Sequence, residues 1–236
     1  MKNFDLTKLV LLFGVLFLLL LQMTGCGDAG VMTPESKSSD NASISLMADN
    51  NALDNPADVI VITEAKALLR EIEFELEGSG IEHEINAGPI VVHFNLSGAV
   101  ETISAGKIPA GVYNKIKFQI HKPEDNETPP DPEFKEGENG NQRYSFIIKG
   151  TFNGNSFIYK SRKSANLVVN FSSPINFQET GINLTMIFNS ITWFKNGSIF
   201  LDPRNPANED LIDDNLRNSF KRAFKDDDKD GHPDDN

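Results

Sequence analysis

Six of the ten residues from Asp226 to Asp235 are aspartate, and their spacing is that of an oxygen cage for a hard cation. Asp226, Asp228, Asp230 and Gly231 hold positions 1, 3, 5 and 6 of an Asp-x-Asp-x-Asp-Gly loop. Alternate carboxylates can curl round a calcium ion, and the glycine permits the turn that aims the following carbonyl, that of His232, inward. Asp234 stands at position 9, where a ligand acts directly or through water. The twelfth position, which supplies a bidentate carboxylate in a twelve-residue calcium loop, would fall one residue beyond Asn236. Asp235 or the terminal carboxylate of Asn236 would then have to close the ring, so weak binding is expected, on the order of 0.1 to 1 mM. The competing reading is a solvated acidic tail.

His232-Pro233-Asp234 makes the stretch resemble the thrombospondin type 3 and related bacterial calcium repeats more than an EF-hand, whose eighth position is apolar. A second chemical site lies near the other end. Lys2 and Lys8 precede an apolar run from Leu9 to Leu21, followed by Gln22-Met23-Thr24-Gly25-Cys26. The run makes about 20 Å of helix, short of a hydrocarbon core of roughly 30 Å, and suits a signal-peptide apolar region. Small Thr24 and Gly25 before the chain's only cysteine resemble the bacterial lipoprotein signal, with Met23 where that signal prefers leucine. The resemblance implies that Cys26 is acylated, carries several lipid chains and becomes the first residue of the mature protein. At about 0.8 kcal/mol per buried CH2 such an anchor is effectively permanent. Gly27 rather than Asp follows the cysteine, which by the same resemblance points to the outer membrane, facing the periplasm or the cell surface.

Other constellations are weaker. Glu71, Glu73, Glu75 and Glu77 offer carboxylates in pairs, the equipment of a glycosidase. They alternate with Ile72, Phe74 and Leu76, however, which is the pattern of a strand with one wet face, and Lys115 and Lys117 could pair with them across strands. His83-Glu84 begins a zinc-protease motif that fails at Ala87, where the second histidine is required. His93 and His121 fall on expected polar faces. No Gly-x-Ser-x-Gly elbow or phosphate-binding glycine loop occurs. Trp193-Phe194 could stack on sugar rings, but core filling is the simpler role.

The elements that must position these groups read mainly as β. Period-two alternation runs from Val59 onward, broken by Gly78-Ser79-Gly80, Gly88-Pro89 and Pro109-Ala110-Gly111. Strands are expected through Ile72 to Leu76, Ile81 to Ile85, Ile90 to Leu96 and Val112 to His121. Asn153-Gly154 marks a primed turn between Tyr144 to Phe152 and Ser156 to Tyr159. Further strands are expected at Asn166 to Phe171, Ile175 to Phe177, Ile182 to Phe188, Ile191 to Phe194 and Ile199 to Leu201. Glu64 to Arg70 also fits helical spacing and is read as strand. Lys122 to Gln142, with four prolines, is long for a hairpin loop and reads as disorder or a contact surface. Ile212, Leu216, Phe220 and Phe224 recur every four residues, with acids before and bases after, and predict one amphipathic helix from Pro206 to about Lys225.

Ile62-Thr63-Glu64, Ile108-Pro109-Ala110-Gly111-Val112-Tyr113 and the Phe171 to Phe177 region resemble bacterial lipoproteins carrying the domain of unknown function numbered 4382, over residues 57 to 190. That resemblance implies a surface lipoprotein with an immunoglobulin- or prealbumin-like sandwich and carries over no catalytic residue. The expected organisation is a signal peptide over 1–25, a flexible tether over 26–55 spanning roughly 30 Å, an antiparallel β-sandwich over 56–205, a helix over 206–225 and an acidic tail over 226–236.

The whole chain has a formal net charge of −12, and loss of Lys2, Asp5 and Lys8 with the leader would make it one unit more negative. Such a surface repels polyanions, so a nucleic-acid partner is not expected. With Cys26 committed to lipid, no disulfide is available and stability must come from a core. The function expected is a non-enzymatic, membrane-anchored protein that binds an extracellular glycan or protein, or displays itself. The alternative is a surface hydrolase or carbohydrate-processing accessory using a carboxylate pair.

Overall fold

The computed structural model describes residues 40–49, 59–177 and 181–234. Cys26, the apolar run before it, and Asp235 lie outside the described residues. Among the described residues the chain is mainly β, with one short C-terminal helix. The strands are β1 (Ala42–Ala48), β2 (Ile60–Leu76), β3 (Glu82–His93), β4 (Glu101–Gly106), β5 (Gly111–Ile120), β6 (Phe146–Phe152), β7 (Asn155–Ser161), β8 (Ala165–Phe177), β9 (Ile182–Phe188), β10 (Lys195–Asn196), β11 (Ile199–Phe200) and β12 (Phe220–Lys225). The helix α1 covers Glu209–Arg217.

Ten of these strands form one sheet in the order β4-β1-β9-β12-β8-β5-β2-β6-β7, with β3 also paired to β2. Strand β2 organises it. Its first half pairs with β6, its second half with β5, and β3 pairs with it from Lys66 to Glu75. At Leu68 the two short partners meet: the Leu68 N–H donates to the Ser145 carbonyl at 3.0 Å and its carbonyl accepts from the His121 N–H at 2.8 Å. The sheet curls until β4 comes beside β3, where a Cβ on Gly106 would overlap Ile85. Pairing is mixed rather than wholly antiparallel, because β1 runs parallel to β9 and β12 runs parallel to β8.

The curl encloses one apolar core. Phe94 stacks on Phe146 at 5.0 Å and meets the edge of Phe188 at 5.0 Å, with Trp193 completing the cluster. Trp193 and Phe194 are fully buried, which gives them the core-filling role. On the outer face Glu75 bonds Lys115 at 2.7 Å and Lys117 at 2.6 Å, the cross-strand pairing expected of the alternating glutamates. The Asn153-Gly154 turn has φ of 49° and 74°, as a primed hairpin turn requires.

Several expectations are corrected. The segment read as a tether contains β1, whose Ala42, Ile44, Leu46 and Ala48 are buried. Two of its four inward residues are alanines and two of its outward ones serines, so the composition mimics a linker. The helix expected over 206–225 ends at Arg217, and Phe220 and Phe224 lie on β12. A four-residue recurrence fits a helical stripe and is also twice the strand period, and Asn218-Ser219 divides the two regimes. Strands expected at Asn166 to Phe171 and Ile175 to Phe177 are one strand, β8, through Pro174. The strand expected from Ile191 is a 3-10 turn over Ser190–Thr192. Disorder expected for Lys122 to Gln142 gives way to a packed segment, because Phe134 inserts with Leu68 and Ile147 into a second small apolar cluster on the far face of β2. His121, expected on a wet face, is buried and bonds Glu127 at 2.6 Å.

Candidate metal centre in the acidic C-terminal loop

Asp226 follows the last residue of β12, and the antiparallel pairing of β12 with β9 decides where it goes. Lys225 stands opposite Leu184, and the next bond is from the Asp226 N–H to the Asn183 carbonyl at 2.9 Å. The Asp226 side chain is thereby carried onto the outer face of β9 and has no exposed surface. Its Oδ2 accepts from the Thr185 hydroxyl at 2.6 Å and from the Gly231 N–H at 3.2 Å, and its Oδ1 accepts from the Asp230 N–H at 3.0 Å. A buried carboxylate is tolerable only with such a set of donors.

The loop then turns tightly. Lys229 has φ of 58° and Gly231 φ of 86°. At Gly231 glycine is needed twice, since a Cβ there would also lie 2.5 Å from Met47 Sδ of β1. Asp228 Oδ1 accepts from the Asp230 N–H at 3.2 Å, and Asp230 Oδ1 accepts from the His232 N–H at 2.7 Å. The outcome is that one carboxylate oxygen from each of Asp226, Asp228 and Asp230 lies within 4.8 Å of the others. Asp228 and Asp230 are exposed, so the group opens to solvent on one side and is rooted in the sheet on the other.

The sequence pattern therefore brought together positions 1, 3 and 5. Asp234 does not join that group: its Oδ2 accepts from the Asp227 N–H at 2.6 Å, so it closes the base of the loop. His232 is exposed at the turn. The loop is also wired to its surroundings through residues that the sequence did not single out. Asn183 donates from Nδ2 to the Asp226 carbonyl at 2.9 Å and accepts at Oδ1 from Ser43 and Ser45 of β1, both at 2.8 Å. Lys229 Nζ donates to Thr102 Oγ1 of β4 at 2.7 Å. The Ser43, Ser45 and Met47 side of β1 is thus covered by this loop.

A second ionic cluster was not legible either. Lys66, buried on β2, donates to Asp131 at 2.5 Å and to Glu133, while Lys149 of β6 bonds Glu133 at 3.0 Å. Burial alone would lower the Lys66 ammonium, but the two carboxylates hold it above its ordinary value. Hydrogen bonds from Lys66 and Lys149 hold Glu133 down to about 2. This cluster fastens the 122–142 segment over Leu68 and Phe134. On the outer face of β2 the Glu73 carboxyl is pushed up by burial and by the neighbouring Glu82 and Glu71 carboxylates.

No helix among the described residues is long and apolar enough to cross a membrane. No known family, curated protein or solved structure matches the chain.

Proposed function

We propose that the protein is a lipid-anchored envelope protein, held by Cys26 to the bacterial outer membrane, whose β-domain has a non-catalytic binding or display role and whose C-terminal loop takes calcium weakly. The observation that carries the calcium part is the convergence of the Asp226, Asp228 and Asp230 carboxylates within 4.8 Å, with Asp226 anchored by Thr185 and not free to swing away. Three hard oxygen ligands in a glycine-turned loop suit Ca2+ better than a transition metal. The ion would draw the exposed Asp228 and Asp230 onto the buried Asp226 and stiffen a loop that already bridges β1, β4 and β9. Calcium titration of the mature protein tests this part: one bound Ca2+ is expected, and no binding up to about 10 mM would overturn it. Mass spectrometry tests the anchor: acylation on Cys26 with residues 1–25 absent is expected, and an unmodified Cys26 would overturn it.

We read the β-domain as an immunoglobulin- or prealbumin-like sandwich, the fold implied by the resemblance to lipoproteins of the domain of unknown function numbered 4382; what supports the reading is one apolar core between the two halves of the curled sheet. The partner would be a glycan or protein outside the cell membrane, since the acidic surface disfavours nucleic acid.

A second reading, a hydrolase or carbohydrate-processing accessory, draws on one observation: burial, together with the neighbouring Glu82 and Glu71 carboxylates, raises the Glu73 carboxyl, the direction required of a general acid. Assay of the mature protein on envelope glycans, beside Glu73→Gln, decides it. Hydrolysis lost in the variant would favour the enzyme, and no turnover by either would leave the binding role.

A further inference from the structure

The strand ends define one rim of the sheet. Ala42 at the start of β1 stands opposite Gly106, the last residue of β4, and opposite Ile182, the first residue of β9. Gly111 at the start of β5 pairs with Phe177 at the end of β8, and Leu76 at the end of β2 pairs with Tyr113. The chain from Cys26 arrives at this rim and is fixed there. Asn41 Nδ2 donates to the Ile108 carbonyl at 2.8 Å, and Asn41 Oδ1 accepts from the Ile108 N–H at 2.9 Å. Residues 27–40 can span at most about 50 Å at ~3.3 to 3.6 Å each, which bounds the distance of this rim from Cys26.

The same rim carries exposed apolar side chains. Ile81 follows the β2–β3 turn and is 54% exposed, and Val112 at the start of β5 is 36% exposed. They flank the end of β2: the Leu76 N–H donates to the Ile81 carbonyl and the Glu77 N–H to the Val112 carbonyl, both at 2.8 Å. Pro109 and Ala110 are exposed between them and Asn41. Gly78 and Gly80 have nothing within 4 Å of where a Cβ would stand, so the hairpin tip projects freely. The exposed charges here include Lys107, Glu77, Glu82 and Asp227, whose Oδ1 accepts from the Asn183 N–H at 3.0 Å beside the start of β9, and they give no basic surplus that would seek anionic lipid.

We propose that this rim rests on the bilayer surface, with Ile81 and Val112 at headgroup depth. The inference builds on the Cys26 anchor reading, because the anchor confines the rim near lipid and so makes a small apolar patch sufficient to orient the domain. It names an orientation for the β-domain: β1, β5 and β9 run away from the membrane, and the Asn153-Gly154 turn, beside the start of β2, stands at the distal end for a partner.

The test uses the mature lipidated protein in phosphatidylcholine vesicles, with a nitroxide on Ile81→Cys or, as control, on Val61→Cys. Cys26 is the chain's only natural cysteine, so once acylated it leaves the new thiol unique. Val61 is 45% exposed at the start of β2, about 50 Å along the strand from Leu76 at ~3.3 Å per residue. At position 81, relaxation by oxygen should exceed relaxation by a water-soluble nickel chelate several-fold, with the order reversed at 61, and high salt should leave this unchanged. Equal aqueous exposure at both positions, in protein that floats with the vesicles, overturns the proposal. Lipid contact seen only with anionic vesicles, or protection at 81 without vesicles, overturns it as well. Protein that does not float and has an unmodified Cys26 overturns the anchor reading instead, and the orientation falls with it.

Discussion

The Thr185 hydroxyl donates to Asp226 Oδ2 at 2.6 Å, joining the middle of a core strand to the first carboxylate of an acidic loop. The same Thr185 oxygen accepts from Asn183 Nδ2 at 3.1 Å, and Asn183 in turn holds Ser43 and Ser45. The first ligand of the candidate calcium site is therefore part of the polar seam that binds β1 to β9.

Thr185→Val keeps the shape of the side chain and leaves a buried carboxylate short of one donor. It should lower stability by about 1.5 to 3 kcal/mol, the range for a hydrogen bond to a charged group. Urea unfolding measures it. A loss below about 0.5 kcal/mol would mean that Asp226 is not held by this bond.

Gly231→Ala meets two obstacles, a φ of 86° and the Met47 sulfur. The expected cost is about 1 to 3 kcal/mol. Met47→Ala in the same chain should recover part of it, because the steric component goes and the backbone strain stays. Full recovery, or none, would show that one of the two causes is misassigned.

Phe134→Ala should cost about 3 to 5 kcal/mol by emptying the cluster over Leu68 and Ile147. Limited proteolysis should then cut within 122–142, whereas the same segment should resist cleavage in the parent protein. Parent protein cut just as fast would contradict the docked segment.

Acid should loosen the same segment. The Glu133 carboxyl titrates near 2 in the folded chain, against an unfolded value of about 4.3. A depressed carboxylate adds stability that is present above about 4.3 and is lost as pH falls from there toward 2. Asp131 acts in the same direction: burial opposes it, but the bond from Lys66, the bond from the Glu133 N–H and the Lys66 charge together hold its carboxyl below the ordinary value. The Glu133 side chain is 37% exposed, so solvent screening tempers the effect. Glu133→Gln should flatten the pH dependence of the urea midpoint between pH 5 and 2. A slope equal to that of the parent would place the acid sensitivity elsewhere.

How much of this was legible in the sequence depends on which residues carry the signal. Strong period-two patterns gave the second half of β2, β5 and β9, while Glu64 to Arg70 in the first half of β2 fitted helical spacing as well, and the Asp-x-Asp-x-Asp-Gly spacing gave the three carboxylates that converge. Strand β1 was hidden because alanine and serine look like a linker, and its stability comes from Asn183 and the acidic loop, more than a hundred residues away in sequence. The end of α1 was hidden because Ile212, Leu216, Phe220 and Phe224 satisfy both periods, and only packing of Phe220 on Phe118 and Phe188 selects the strand. Burial of Lys66 depends on two acids in a proline-rich segment that composition alone assigns to solvent. Local pattern therefore carried the candidate site, while long-range pairing carried its support.

The central claim is that Asp226, Asp228 and Asp230 hold calcium, and isothermal titration of the mature protein beside the Asp228→Asn/Asp230→Asn variant tests it most directly. Both substituted residues are exposed, so the variant should fold and unfold in calcium-free urea as the parent does. The parent should bind one Ca2+ with a Kd on the order of 0.1 to 1 mM, and at ten times that Kd calcium should add about 1.4 kcal/mol to its stability. The variant should bind at least about tenfold more weakly, as expected when two of three charged ligands are neutralised. Identical heats from the two proteins, or no heat from the parent up to about ten times the weakest expected Kd, would contradict the account and leave the closing aspartates as a hydrogen-bonded strap over β1.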